Sequence, residues 1–321
     1  MVRVLTEEDV AAVLDLTDLF SVVREAVRKQ DRGEIERPER PHFPVGIDLD
    51  PESEEALGTG LTMPAYLHGS DNYATKLASV HPDNPDRDLP TVNAQVTLTD
   101  TATGRPIAYM AGNRITNART GCIGGLSAES LADPPIVVGV IGAGTQARWQ
   151  ARAVAAAVDV TAVRVYSPSD SKFDCAADLR EAGLDAEAVN AAAEAAHNAD
   201  VVVTATTATE PVVPTDALAP NAVVVAVGAY TSEMQELEPT TLIGASDIFA
   251  DVPAEAVETG DARAATLTEA DLRPLSAAMD EQPREGRRVV LSVGSAVFDA
   301  AAADHVHERA AAESVGRTIN C

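Results

Sequence analysis

Lysine is nearly absent from this chain. Of 24 basic residues in 321, three are lysines (Lys29, Lys76 and Lys172), against 50 acidic residues and a net charge of −26. A surface of that sign excludes nucleic acid and anionic membranes as partners. Disorder, the other reading of high charge, is opposed by 45% apolar residues set in clear strand and helix patterns. No apolar run approaches the roughly 18 residues of a spanning helix. The opening Met1-Val-Arg-Val-Leu-Thr-Glu-Glu-Asp9 lacks a signal-peptide core, so a cytoplasmic protein is expected. Cys122, Cys175 and Cys321 have no metal-ligand spacing and cannot all pair, which fits a reduced compartment. Neither do His42, His68, His81, His197, His305 and His307 have such spacing; the last two do not share a helix face. No metal is therefore expected. There is also no serine nucleophile elbow, paired-carboxylate arrangement or solenoid repeat. Dense acid, little lysine and much alanine and valine look like salt adaptation, with carboxylates keeping the surface hydrated. In such a chain each surviving lysine invites a question. Lys29 has a plain solvated-helix reading; Lys76 and Lys172 do not.

Against these absences stands Ile136-Val-Val-Gly-Val-Ile-Gly-Ala-Gly-Thr-Gln-Ala147. A β-branched run enters a glycine turn, and a strong helix former follows. Gly142 can take the turn dihedrals, Gly144 lets the backbone approach a pyrophosphate, and Ala147 lets the helix pack on the strand. The helix N-terminus offers amides and a positive dipole end to phosphates. A dinucleotide site is expected here, with Thr145 and Gln146 in its turn.

At 321 residues the chain suits two domains of roughly 100–200 residues each. Thr6 reads as a helix cap, with a second helix from Leu16 to about Asp31. A strand near 40–47 precedes strands at Leu61–Ala65, Tyr73–Ser79, Val92–Asp100 and Pro106–Ala111, the last two joined by a turn at Thr101–Gly104. A helix follows over Arg114–Leu131. Strands then fall at 136–141, 162–166, 200–205, 222–227, 247–250 and Arg288–Val293. Helical segments lie at 145–157, 174–183 and 190–198, the alanine-rich 186–199 reading as helix composition, and Ala296–Glu313 closes the chain. The expected fold class is α/β. A Rossmann-type parallel-sheet nucleotide domain spans 116–295; a mostly antiparallel α+β domain comprises 1–115 plus 296–321.

Bottom-up, Lys76 interrupts the small and apolar strand residues Tyr73-Ala-Thr-Lys-Leu-Ala-Ser79, where burial would lower its pKa and let it exchange a proton near neutrality. Thr206 follows the strand Val201–Ala205, at the carboxyl end where ligands of open parallel sheets sit. Ser167 occupies the end of the second strand, where an NAD-preferring fold usually has an acid. Ser169, Ser171 and Lys172 could receive a 2′-phosphate, and Asp170 could instead bind a ribose; NADP is slightly favoured over NAD.

Several segments, in this order, resemble the ornithine cyclodeaminase/μ-crystallin family. They are Met63-Pro-Ala-Tyr66, Lys76-Leu-Ala-Ser-Val-His-Pro-Asp-Asn-Pro85, Leu89-Pro-Thr-Val92, Thr116-Asn-Ala-Arg-Thr120, Gly142-Ala-Gly-Thr-Gln146, Val203-Thr-Ala-Thr-Thr207, Val227-Gly-Ala-Tyr230 and Ser292-Val-Gly-Ser-Ala-Val-Phe-Asp299. Each is weak alone; together, with the Lys76 to Arg119 spacing, they are specific from about residue 35 onward. The resemblance implies a homodimer built through the first domain, a nicotinamide cofactor, and passage through an imine of a small amino, keto or imino acid. It makes Lys76 the catalytic lysine and Arg40 the arginine that pairs with the substrate carboxylate, with Arg37 a competitor beside an acidic insertion at Gly46–Gly60. It implies that Arg119, paired with Thr120, touches the cofactor phosphates and the substrate region. Thr91, Gln146 and Val227 match its cofactor positions. Ser292 and Val293 match positions that face nicotinamide and substrate in that family. Asp299 fits the pattern too, with orientation of the last helix as its alternative role.

Ornithine cyclodeaminases carry an acidic proton donor shortly after the Val-Gly turn. Here that position is Tyr230, and Glu233 is three positions off. The departure favours an NAD(P)-dependent oxidoreductase of the alanine dehydrogenase or ketimine reductase type. Ornithine cyclodeaminase, forming proline and ammonia with bound NAD, and a non-catalytic NADP-binding μ-crystallin-like protein stand as alternatives.

Overall fold

A computed structural model describes residues 1–49, 55–87, 89–282 and 284–320. Cys321 and part of the acidic insertion, residues 50–54, lie outside the described residues. The chain divides into two compact units, Met1–Arg119 together with the segment from Ala296 onward, and Thr120–Ser295.

Along the chain come β1 (Val2–Leu5), α1 (Glu7–Val13), α2 (Leu16–Asp31), β2 (Ile35–Glu36), β3 (His42–Val45), β4 (Gly58–Leu67), β5 (Asn72–Val80), β6 (Val92–Asp100), β7 (Pro106–Ala111) and α3 (Asn113–Leu131). Next are β8 (Ile136–Ile141), α4 (Thr145–Ala157), β9 (Val160–Tyr166), α5 (Ser171–Glu181), β10 (Ala186–Ala188), α6 (Ala192–Ala196), β11 (Val201–Thr204) and β12 (Val223–Ala226). The last are α7 (Pro239–Ile243), β13 (Asp247–Ala250), α8 (Pro253–Ala256), α9 (Gly260–Ala264), β14 (Arg273–Pro274), α10 (Leu275–Asp280), β15 (Arg288–Leu291), α11 (Ala296–Ala312) and β16 (Arg317–Ile319).

In the first unit a sheet runs β16-β1-β7-β6-β5-β4-β2, with β3 also on β4. Every pairing is antiparallel except β1 on β7. Thr6 caps α1 in a reciprocal box with Asp9, and Asp15 caps α2 by accepting the Thr17 and Asp18 amides. The apolar stripe of α2, Leu19, Phe20, Val23, Ala26 and Val27, is buried, and the alanine-rich α11 packs on β4, β5, β6 and α2. Strand period two puts Ala74, Lys76 and Ala78 on one face of β5 and Tyr73 and Leu77 on the other. Ala74 and Lys76 are buried, whereas Tyr73 and Leu77 are exposed. Lys76 thus belongs to the helix-covered face, in a cross-strand row with Met63, Val96 and Met110.

The second unit holds eight parallel strands in the order β10-β9-β8-β11-β12-β15-β13-β14. Val201–Thr204 and Val223–Ala226 are buried throughout, as strands covered on both faces require. Strand order reverses between β8 and β11, and that switch point opens a crevice at the carboxyl ends.

The alanine-rich 186–199 is not all helix. Gly183, at φ +90°, ends the helical segment, and Ala186–Ala188 instead pairs parallel with β9; only Ala192–Ala196 is helical. Alanine's own preference is overridden there by an open sheet edge. The edge pieces β2, β14 and β16 and the inner strand β1 were not expected. Each has two to four residues, too few for alternation to be read.

Candidate active site

In the first unit, Lys76 is 3% exposed, and its Nζ donates to Asp299 Oδ2 at 2.5 Å. Asp299, 1% exposed in the first turn of α11, accepts Arg119 Nε on its other oxygen at 2.9 Å. Arg119 Nη2 and the Thr116 hydroxyl add contacts at 3.4 Å. One buried carboxylate therefore serves two buried cations. Burial lowers the Lys76 pKa to about 8; Asp299 opposes the shift, and the charges of Arg119 and Arg40 deepen it. Burial alone would raise Asp299, but Arg119 and Lys76 outweigh it and hold the carboxyl below its ordinary range. Asp299 does more than orient α11: it is the counter-ion that keeps a cationic lysine inside the protein.

Arg40 precedes β3, is half-buried, and is among the charges acting on Lys76. Thr91 is not beside Lys76. It lies five residues along from Val96, the register partner of Lys76, or about 16 Å at strand spacing. Its carbonyl accepts the His81 amide at 2.8 Å.

In the second unit the glycine turn leaves β8 at the switch point. Gly142 has φ +116°, and a Cβ there would lie 2.4 Å from the Ala205 carbonyl oxygen. Only glycine passes between β8 and β11 at that height. Gly144 and Thr145 are exposed, nothing lies within 4 Å of a Cβ on Gly144, and no side chain caps α4. Gln146 follows half-buried, while Ala147 is fully buried against the sheet. Arg148 pins the turn from behind, donating to the Ala143 and Gly144 carbonyls and to Asp178. The uncapped α4 amides and the open approach over Gly144 fit a dinucleotide pyrophosphate.

After β9, the hydroxyls of Ser167, Ser169 and Ser171 lie 2.7 to 3.4 Å apart. Lys172 is largely buried, its Nζ 5.7 Å from the centre of the Tyr166 ring and 5.4 Å from that of Phe173. Asp170 is exposed and makes no side-chain cap to α5.

At the ends of the next strands, three buried acids organise the backbone. Glu236 accepts Thr206 N at 2.7 Å and Thr206 Oγ1 at 2.9 Å on one oxygen, and Thr204 Oγ1 at 2.9 Å and Gly228 N at 2.8 Å on the other. Asp261 accepts the Glu236 and Leu237 amides. Asp251 accepts the Ser292 hydroxyl and the Val293 and Gly294 amides. The hydroxyl protons of Thr206 and Ser292 are thus spent inside the protein. Val227 is fixed through its amide, which donates to Thr204 O. Sequence reading missed all three acids, because their partners are backbone amides brought together only by folding. Tyr230, at the cyclodeaminase acid position, is 47% exposed.

Among the described residues no helix is long and apolar enough to cross a membrane, and no cluster of histidine, cysteine and acidic side chains could hold a metal ion.

A parallel sheet with a glycine turn at its switch point, in a chain carrying a buried lysine of shifted pKa, defines a dinucleotide-dependent enzyme class. The chain belongs to the ornithine cyclodeaminase/mu-crystallin family, whose pattern matches residues 2–314. It is 30% identical over 331 aligned positions to an alanine dehydrogenase of Archaeoglobus fulgidus, covering 98% of this chain and 97% of that protein. The structure of Thermococcus litoralis Delta(1)-pyrroline-2-carboxylate reductase in complex with NADH and L-proline matches with a TM-score of 0.90 and 27% identity, over 99% of this chain and 100% of that one. An archaeal alanine dehydrogenase dimer with bound NAD matches at 0.89 and 28% identity, over 99% of each chain.

Proposed function

We propose that this protein is an NAD(P)-dependent oxidoreductase that reduces the C=N bond of a small imino acid, or oxidises the corresponding amino acid. The observation that carries this reading is the buried Lys76–Asp299–Arg119 cluster, whose lysine titrates at about 8. Imine reduction needs a proton at nitrogen and a hydride at carbon. When bound, the nicotinamide supplies the hydride. Lys76, held cationic by Asp299, hands its proton to the imine nitrogen and takes one back in the oxidative direction. Arg40 pairs with the substrate carboxylate and sets its orientation. Arg119 shares Asp299 with Lys76 and so fixes where the lysine points. Gly142, Gly144, Thr145 and Gln146 hold the pyrophosphate, and Thr206, Val227, Ser292 and Val293 line the approach beyond the strand ends.

Ser167, Ser169, Ser171 and Lys172 support a 2′-phosphate, hence a preference for NADP. The cyclodeaminase alternative is disfavoured: hydrogen bonds from the Ser232 hydroxyl, its own backbone amide and the Thr231 hydroxyl hold the Glu233 carboxyl below its ordinary range, the wrong direction for a proton donor. A homodimer is supported by exposed Phe43, Tyr73, Leu77 and Tyr109, which stand on the sheet face away from α11. A net charge of −26 supports a cytoplasmic protein adapted to concentrated salt.

The test is oxidation of NADH and NADPH, in parallel and in concentrated potassium chloride, with pyruvate plus ammonium and with a cyclic imino acid. Turnover lost in Lys76→Ala supports the reading. Folded protein that oxidises neither cofactor with either substrate would sink it and point to proline formation from ornithine.

A further inference from the structure

Glu236 is fully buried, yet the reaction just described does not use it. Its two oxygens take four contacts, and in every one the partner is placed to donate: the Thr204 and Thr206 hydroxyls and the Thr206 and Gly228 amides. The two amides cannot reverse their role, so the pocket is built for the carboxylate. The contacts tie the turn after β11 to the turn after β12. The fit is close. A Cβ on Gly228 would lie 2.5 Å from Glu236 Oε1 and 2.1 Å from Thr206 O. The turn after β11 also borders the glycine loop, since the Ala205 carbonyl and the Thr206 methyl are what a side chain on Gly142 would strike.

We infer that Glu236 is a positioning residue for the dinucleotide: its carboxylate holds Thr206 and the Val227–Gly228 turn where the cofactor needs them. This rests on the oxidoreductase reading of the same site. Glu236 touches no reacting atom in it, so its removal acts on cofactor affinity before turnover.

Burial raises the Glu236 pKa to about 7 against the pull of its donors, and Asp261 adds to the rise. Asp261, on α9, is the charged group that faces it; β11 and β12 present hydroxyl and amide donors instead. Asp261 is itself raised to about 6 by burial, so it titrates lower. Protonating Glu236 puts a hydrogen where amides already point, and the turns lose their common anchor.

The experiment is titration of NADH and NADPH into the intact protein by nucleotide fluorescence, on either side of pH 7, with steady-state kinetics in parallel. Wild type should bind the cofactor more weakly as pH falls through about 7. Glu236→Gln places an NH2 group opposite an amide donor, and it should weaken binding about tenfold, keep kcat at saturating cofactor within about threefold, and lose the pH dependence. Thr204→Val removes one donor while keeping shape, and it should weaken binding by a smaller factor. Folded Glu236→Gln of unchanged affinity would overturn the inference, as would a kcat loss at unchanged affinity. If wild type binds neither nucleotide, the oxidoreductase reading fails with it; if wild type binds and Glu236→Gln binds equally, this inference fails alone.

Discussion

Lys76 sits where a cation is costly and is kept by one carboxylate. Its proton is therefore loosely held, and on the proposed mechanism, in which reduction draws on protonated Lys76, the reductive rate should fall as pH rises through about 8 while the oxidative rate climbs over the same range. Lys76→Ala should lower kcat by about two to four orders of magnitude, the usual worth of a positioned acid or base; a rate within tenfold of wild type would remove Lys76 from the chemistry. Asp299→Asn leaves Lys76 and Arg119 facing each other without a counter-charge. That change should cost about 3–5 kcal/mol of stability in a urea titration. It should also move the alkaline limb of the reductive profile to lower pH, since Asp299 is what raises the lysine. At this scale Lys76 was legible because it interrupts an apolar strand in a chain of three lysines. The pairing with Asp299 was not, although Asp299 itself fitted the family pattern, because 223 positions separate the two and no local pattern spans them.

Among the elements, the β8–α4 unit is the most legible. A long β-branched run, a glycine turn and an alanine-rich helix agree at every level, and 136–141 and 145–157 are the observed bounds. Gly142→Ala should report on that unit. It puts a Cβ 2.4 Å from a backbone oxygen at φ +116°, so it should abolish measurable dinucleotide binding and lower stability by about 1–3 kcal/mol. Wild-type binding by this variant would show that the turn does not hold the cofactor. The short edge strands lay beyond sequence reading for the opposite reason: β10 is three alanine and glutamate residues whose conformation is set by the vacant edge of β9.

For the molecule as a whole, a charge of −26 makes the folded chain repel itself. Raising salt from about 0.1 M to 1 M shortens the screening length from about 10 Å to 3 Å. The melting temperature should therefore rise steeply with potassium chloride, and an unchanged value would refute a surface dependent on salt. Leu77, 42% exposed on the sheet face away from α11, offers a check on assembly. On the proposed homodimer, wild type should scatter light as a dimer and Leu77→Asp as a monomer with its secondary structure intact; a Leu77→Asp dimer would place the interface elsewhere, and a wild-type monomer would refute the assembly.

Composition, the glycine turn and the order of short segments were enough to determine the α/β class, the β8–α4 unit, the family and the burial of Lys76, because each depends on neighbours in sequence or on residue identity alone. Tertiary structure decided the rest. It set the counter-ion of Lys76, the spent hydroxyls of Thr206 and Ser292, and the buried carboxylates of Glu236, Asp251 and Asp261 that hold the strand ends. Those roles are defined by burial and by donors arriving from distant strands, and neither exists until the chain has folded.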